Sequence, residues 1–169
     1  MKTALITGAT AGIGEACAHI LAQNGYNIII TGRRADRLTA VAQELAQMYK
    51  VQVHTLNFDV RHRQQTFDAI ASLPAQWQKI DLLVNNAGLA MGLASFEEGN
   101  MDHWDTMIDT NVKGLLYVSK AVVPLMVANK TGHIINISSI AGKEVYAMGN
   151  VYCASKHAVD ALTRSMRLD

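Results

Sequence analysis

The sequence has few cysteines, almost no excess charge and no long uninterrupted apolar run, and each scarcity excludes a class of protein. Two cysteines, Cys17 and Cys153, cannot make a disulfide framework, so we expect a reducing compartment and a cytoplasmic location. A formal net charge of +1 provides no field to attract nucleic acid. No apolar run approaches a membrane span, and Met1-Lys2-Thr3 leads directly into a strand, which leaves no room for a signal peptide. We therefore expect neither a nucleic-acid partner nor a membrane partner.

Potential metal ligands are equally sparse. The six histidines form no pair at helical metal-ligand spacing, and the sequence has no Cys-x-x-Cys. We therefore predict no metal.

What the sequence does contain is an alternation of strand and helix patterns. Half of the 169 residues are hydrophobic and 17% are charged, as in a compact globular chain, and this length predicts one domain over residues 1–169. The alternation predicts an α/β fold with a doubly wound parallel sheet covered by helices on both faces. The predicted strands are 3–7, 27–31, 51–58, 80–84 and 133–137; the predicted helices are 13–23, a stripe over 38–45, 61–72, about 102–129 with a bend at Pro124, and from Tyr152 onward.

A glycine-rich segment, Thr7-Gly8-Ala9-Thr10-Ala11-Gly12-Ile13-Gly14, joins the first strand to the first helix. Free N–H groups at a helix N-terminus are donors for a phosphate, and the helix dipole adds attraction. Glycines allow a tight turn and a close approach, because a Cβ would collide with the phosphate. The alternative is a turn without ligand, but the position at the first strand–helix junction favours a dinucleotide.

The glycine spacing resembles that of one family. Gly-x-x-x-Gly-x-Gly differs from the Gly-x-Gly-x-x-Gly of ordinary dinucleotide-binding dehydrogenases, and Thr-Gly-x-x-x-Gly-Ile-Gly resembles the signature of short-chain dehydrogenases/reductases. The resemblance implies a Rossmann-like fold, a nicotinamide cofactor and cofactor contacts from Gly8, Thr10, Gly12, Ile13 and Gly14.

Two later turns resemble further motifs of the family. Asp59-Val60 follows the third strand and resembles the pair that contacts adenine, and Asn85-Asn86-Ala87-Gly88 follows the fourth strand. The resemblance implies that Asp59, Val60, Asn86, Ala87 and Gly88 bind cofactor. For Asp59 and Asn85 a structural role at the strand end is equally open.

The turn after the second strand indicates which nicotinamide cofactor is used. NAD enzymes usually place an acid about 20 residues beyond the glycine motif. Here Arg33 and Arg34 occupy that place, and guanidinium groups can bind a 2′-phosphate. The alternative is a solvated basic turn. We predict NADP, with Arg33 the stronger candidate and Arg34 the second.

Tyr152 and Lys156 lie four residues apart on a predicted helix and hence on one face. A cation beside a phenol favours the phenolate, so such a tyrosine can exchange a proton with an alcohol or carbonyl. The family resemblance implies the same catalytic pair, which also contacts cofactor.

The resemblance implies two further catalytic residues: Ser139, at the family's distance of 13 positions before Tyr152, and Asn111, in a proton relay. Ser138 is then a neighbour with a packing role, and a satisfied core asparagine is the alternative for Asn111.

We expect the substrate to be a small molecule. Within the family the chain resembles the NADP-dependent 3-hydroxy acid dehydrogenases of the serine or allo-threonine group, notably at Thr31-Gly32-Arg33-Arg34 and Ser72-Leu73-Pro74-Ala75-Gln76-Trp77. Lys143 is the basic candidate for the substrate carboxylate, or is solvated. The alternatives are a reductase of a 3-oxoacyl thioester, sugar or hydrophobic ketone, and a dinucleotide-binding module without turnover.

The resemblance also implies more chain than these 169 residues. The doubly wound order 3-2-1-4-5-6 needs a sixth strand, and none follows the last helix, so we expect a missing C-terminal part. A homo-oligomer, namely a tetramer, is expected of the full-length protein from the resemblance only.

Overall fold

The computed structural model describes residues Met1–Asp169 and contains one parallel sheet. Its strands are β1 (Thr3–Thr7), β2 (Asn27–Gly32), β3 (Val53–Asn57), β4 (Leu82–Asn85) and β5 (His133–Asn136), in the order β3-β2-β1-β4-β5. The helices are α1 (Gly12–Gln23), α2 (Ala35–Tyr49), α3 (Arg63–Ala71), α4 (Met101–Ile108), α5 (Leu115–Ala128) and α6 (Asn150–Ser165). The predicted doubly wound α/β fold is confirmed over five strands.

The sheet is buried on both faces, as its continuous apolar strands predict. Central strand β1 pairs with β2 and β4, so that Leu5 lies opposite Ile29 and Leu83. Ile6 belongs to the core under α1 and α2, whereas Leu5 belongs to the core under α3 and α5. This alternation anchors β1 between two helix layers and holds the loop that follows it in place.

Most element boundaries lie within two residues of the predicted ones, but the fourth helix differs. A π-helical turn, Asp109–Gly114, joins α4 to α5, and α5 continues through Pro124. A proline removes one helical hydrogen bond, yet its neighbours Val122 and Met126 pack into the core and keep the helix intact. The π turn was not predicted, because an extra residue per turn leaves no signal in an apolar stripe.

The joined helix also corrects the expectation about membrane-spanning length. Met101–Ala128 forms 28 helical residues, with a mean hydropathy of 1.2, and is long and apolar enough to cross a membrane by length and composition. Lys113 and Lys120 interrupt its apolar residues, which is why no unbroken run was seen. Val118, Val122 and Met126 pack against the sheet, as in the core helix of a globular domain.

Strand β5 forms one edge of the sheet and pairs with β4 alone. Its His133 and Ile135 are exposed, the latter by 40%. The sixth strand of the expected order does not occur within residues 1–169.

Candidate active site

A cavity of about 600 Å³ opens at the carboxyl ends of the strands. It lies beside the turns after β1 and β4, where the strand order reverses, and this is the usual ligand position in open α/β sheets. Most of the predicted cofactor residues line it: Gly8, Thr10, Ile13, Arg33, Arg34, Asp59, Val60, Asn86, Ala87, Gly88, Tyr152 and Lys156. Gly12, Gly14, Asn111 and Ser139 do not line it.

The glycine loop forms a cradle with free donors. Gly8 has a φ of +66°, which favours glycine, and a Cβ on Gly14 would lie 2.6 Å from the Gly8 carbonyl oxygen. Helix α1 begins at Gly12, and no side chain caps its N-terminus. Its first N–H groups therefore remain available to an anion such as a pyrophosphate.

The loop after β4 ties this cradle to the sheet. The Asn86 amide donates to the Thr7 carbonyl at 2.9 Å and the Gly8 carbonyl at 3.2 Å, while the Ala87 N–H donates to the Thr7 hydroxyl at 3.0 Å. Asn86 and Ala87 thus shape the cavity wall as well as line it. Asn85 lies outside the cavity wall and donates to Ser119 and Asn136, which supports the structural alternative for that residue.

The two arginines after β2 differ in their contacts. Arg34 donates to the Thr10 hydroxyl at 2.8 Å and so braces the glycine loop. Arg33 makes only a long contact of 3.7 Å with Asp59, and its side chain is 59% exposed. Of the two guanidinium groups, that of Arg33 is therefore the freer to receive an anion, as the sequence predicts.

Asp59 carries a strongly bound carboxylate. The Arg61 guanidinium donates to both of its oxygens, from Nε to Oδ1 at 3.1 Å and from Nη2 to Oδ2 at 2.7 Å, and the Arg61 backbone N–H donates to Oδ1 at 3.0 Å. Burial alone would raise the pKa of Asp59, but these hydrogen bonds and the charges of Arg61 and Arg33 outweigh it and hold that pKa below its usual value. Arg61 is absent from the predicted site; its only sequence signal is a basic residue two positions after a strand-ending acid.

Helix α6 presents Tyr152 and Lys156 to the same cavity. The Lys156 ammonium lies 5.9 Å from the centre of the Tyr152 ring and donates to the Ile137 carbonyl at 2.9 Å. Lys156 is only 6% exposed, and this burial lowers its pKa. The predicted juxtaposition of a phenol and an ammonium is present.

Asn111 lies in the π turn behind this pair. Its amide donates to the Leu89 carbonyl at 2.8 Å and to the Ser155 hydroxyl at 3.0 Å, and its carbonyl accepts from the Leu89 N–H at 2.8 Å. The satisfied core asparagine is thus observed, and it joins the β4 loop to α6. A part in a proton relay stays a prediction.

The two serines after β5 have different partners. The Ser139 hydroxyl accepts from the Ala141 N–H at 3.1 Å and caps the short 3-10 turn Ile140–Gly142. Ser138, which was expected to have a packing role, donates to the Lys156 carbonyl at 3.3 Å and also lines the cavity. The catalytic role of Ser139 stays a prediction.

Comparison with known proteins identifies the family. The short chain dehydrogenase family model matches residues 2–169. The chain belongs to this family. The NADP-dependent 3-hydroxy acid dehydrogenase of Salmonella typhi is 50% identical over 165 residues, which are 98% of this chain and 65% of that protein. The chain thus spans about two thirds of the length of the curated relatives that it matches.

Solved structures agree with this assignment. Serine dehydrogenase from Escherichia coli is 46% identical with a TM-score of 0.93, over 99% of this chain and 76% of that one. A closed form of serine dehydrogenase complexed with NADP+ is 47% identical with a TM-score of 0.92, over 99% and 66%. The predicted family and its 3-hydroxy acid dehydrogenase resemblance are confirmed.

The structure of this short-chain dehydrogenase does not bring Lys143 to the cavity. Lys143, the candidate for a substrate carboxylate, forms an ion pair of 2.6 Å with Asp160 and does not line the cavity. In this structure the Lys143 ammonium therefore pairs with Asp160 and lies outside the cavity wall.

A cluster outside the cavity escaped the search for histidine pairs. Glu15, His19 and Glu44 offer three ligand atoms within 4.8 Å of one another. Glu15 and His19 are one helical turn apart on α1, whereas Glu44 comes from α2, so only the packing of the two helices brings them together. His19 pairs with Glu44 at 3.8 Å and with the Tyr49 hydroxyl at 3.2 Å. The absence of a metal stays a prediction.

Proposed function

We propose that this protein is an NADP-dependent oxidoreductase that interconverts a small alcohol and its carbonyl, with a 3-hydroxy acid such as serine or allo-threonine as the alcohol. The observation that carries the proposal is one cavity whose wall contains residues of the glycine loop, Arg33, Tyr152 and Lys156. An NADP-dependent 3-hydroxy acid dehydrogenase that is 50% identical to this chain supports the same reaction and substrate class.

The residues present fit a dinucleotide. The uncapped N-terminus of α1 and the glycine cradle would hold the pyrophosphate, and Arg33 would bind the 2′-phosphate. A nicotinamide bound here would supply the hydride transfer to and from the substrate carbon.

Tyr152 and Lys156 handle the accompanying proton. During alcohol oxidation the Tyr152 oxygen takes the hydroxyl proton, and during carbonyl reduction it gives that proton back. The Lys156 ammonium favours the phenolate electrostatically, and the Ile137 carbonyl holds that ammonium in place. Ser139 would hydrogen-bond the substrate oxygen beside the tyrosine.

A substrate panel tests the proposed reaction. Serine, allo-threonine and 3-hydroxyisobutyrate are assayed with NADP and with NAD, beside reductions of a 3-oxoacyl thioester, a sugar and a hydrophobic ketone. We expect the highest kcat/KM with NADP and one of the 3-hydroxy acids. Turnover of none of these acids would reject the substrate class, preference for NAD would reject the cofactor, and binding without any turnover would indicate a non-catalytic module.

Replacing Arg33 with alanine should change cofactor choice. A hydrogen bond between charged groups contributes about 1.5–3 kcal/mol, so the kcat/KM with NADP should fall about 10–100-fold while that with NAD stays within about threefold. Steady-state kinetics with each cofactor measure this. Arg37→Ala, an exposed residue of α2 outside the cavity, is the matched control and should alter neither value. An equal loss with both cofactors would contradict recognition of the 2′-phosphate.

The assembly and location of the protein are also proposals. We propose a cytoplasmic homotetramer that has a small-molecule substrate and neither a nucleic-acid nor a membrane partner. The two free cysteines and the net charge of +1 support this setting. The tetramer is supported only by the family resemblance, and sedimentation of the native protein tests it.

A further inference from the structure

A carboxylate lies next to the cation that the proposed function assigns to the 2′-phosphate. Asp59 and Arg33 both line the cavity, and an oxygen of Asp59 lies 3.7 Å from a guanidinium nitrogen of Arg33. The Asp59 side chain is only 14% exposed, so water screens it poorly. Without compensation this carboxylate would both repel a phosphate and compete with it for Arg33.

Arg61 supplies that compensation. It donates from Nε to Oδ1 of Asp59 at 3.1 Å and from Nη2 to Oδ2 at 2.7 Å, and the shorter bond is a full ångström shorter than the contact between Arg33 and Asp59. This two-pronged geometry is the strongest that an arginine makes with a carboxylate. Arg61 itself does not line the cavity, so its contact with the cofactor site runs through Asp59.

Asp109 is a second negative charge that acts on Arg61. The hydrogen bond to Asp59 raises the pKa of Arg61, burial lowers it, and the negative charges of Asp59 and Asp109 raise it further. Asp109 has its own partner, because Lys113 binds it at 2.7 Å. Arg61 is therefore left to Asp59, and no other cation is bound as closely to that carboxylate.

We propose that Arg61 is a positioning residue for cofactor choice: by occupying the Asp59 carboxylate it leaves Arg33 free for a phosphate on the 2′-position of the adenine ribose. The inference rests on the proposed function and assigns to it a residue that never touches the phosphate. When Arg61 is lost, Asp59 has Arg33 as its remaining cationic neighbour, and a 2′-phosphate must break that pair before it can bind.

Binding of two nucleotides that lack nicotinamide tests the inference without any reliance on turnover. Calorimetry measures the Kd of 2′,5′-ADP, which carries the 2′-phosphate, and of 5′-AMP, which does not. For Arg61→Gln we expect the preference for 2′,5′-ADP over 5′-AMP to fall about tenfold, mainly because 2′,5′-ADP binds more weakly. An unchanged preference, or an equal loss for both nucleotides, would overturn the proposal.

A second substitution separates action through Asp59 from a merely structural role. In Asp59→Asn/Arg61→Gln the competing charge is gone, so the preference should return to within about twofold of that of Asp59→Asn. A double variant no better than Arg61→Gln would show that Arg61 binds the phosphate directly or only supports the fold, and would refute the inference. Arg63→Gln, an exposed charge at the start of α3, is the matched control and should leave both affinities unchanged.

Nucleotide binding by the unaltered protein separates a failure of the NADP assignment from a failure of the role of Arg61. If the unaltered protein binds both nucleotides equally, the assignment of NADP fails, and the role of Arg61 fails with it. If the unaltered protein prefers 2′,5′-ADP and Arg61→Gln does so equally, the role of Arg61 alone fails. Should Arg61→Gln not fold, Arg61→Lys keeps the charge without the two-pronged geometry and should lose about threefold of the preference, and no loss would contradict the proposal.

Discussion

Replacing Tyr152 with phenylalanine is expected to lower kcat by about 10²–10⁴-fold and to leave the Kd for NADPH within about twofold. The change removes one oxygen atom, the one that takes and returns the proton. The ring and its place near the Lys156 ammonium, 5.9 Å from the ring centre, are kept. Stopped-flow kinetics measure turnover, and quenching of protein fluorescence measures cofactor binding.

Tyr146→Phe is the matched control for this experiment. Tyr146 lies six residues before Tyr152, in the connection that leads into α6, but it is 51% exposed and does not line the cavity. No lysine follows it at four residues. Its loss should leave kcat within about twofold. A Tyr152→Phe variant with more than a tenth of the original kcat would contradict the assigned role and move attention to another proton donor.

Replacing Lys156 with methionine should have opposite effects on activity and stability. We expect kcat to fall about 10²-fold or more, because the cation that favours the phenolate is gone. We expect the free energy of unfolding at pH 7 to rise by about 1 kcal/mol, because a buried charge is replaced by an apolar side chain of similar length. The Ile137 carbonyl loses its donor but lines the cavity, where water can replace it.

Lys156 also makes the free energy of unfolding depend on pH. Burial lowers the pKa of Lys156 in the folded protein below its unfolded value of about 10.4. Between the folded and the unfolded pKa the unfolded chain binds more protons, so this residue makes stability rise as the pH increases through that window. The component should disappear from urea unfolding curves of Lys156→Met. Lys120→Met, an exposed lysine of α5, should retain it and change stability by less than about 0.5 kcal/mol.

Loss of stability in Lys156→Met would show that the hydrogen bond to Ile137 outweighs the cost of burying the ammonium. Full activity in that variant would show that the phenol of Tyr152 needs no neighbouring cation. The two readouts are independent, since one concerns the folded ground state and the other the reacting proton.

The adenine end of the site shows where sequence patterns were sufficient and where they were not. Arg33 could be assigned from its distance to the glycine motif, and the structure leaves its side chain the freer of the two arginines. Arg61 could not, because nothing in a sequence says which carboxylate a surface arginine will meet. Its role depends on β2 and β3 being neighbours, which brings Arg33 and Asp59 within 3.7 Å.

For Ser138, Ser139 and Lys143, too, the sequence did not predict which side chains line the cavity. Spacing to Tyr152 selects Ser139, yet the backbone after β5 turns so that Ser138 lines the cavity and Ser139 caps a 3-10 turn. Lys143 lies in the expected loop, but it forms an ion pair with Asp160 of α6 and does not line the cavity. Side-chain directions in irregular loops depend on contacts far away in the chain, and no local pattern encodes them.

The sequence by itself determined the order of the strands and helices, the glycine cradle and the Tyr152–Lys156 face. Each of these follows from helical or strand periodicity or from the conformational freedom of glycine, which act over a few residues. Only the tertiary structure decided that Asn85 bonds Ser119 and Asn136, that Asn111 joins two elements and that Arg61 binds Asp59. The physical reason is that a hydrogen bond or ion pair between distant segments is set by how the sheet and its helix layers pack, and that packing is a property of the whole chain.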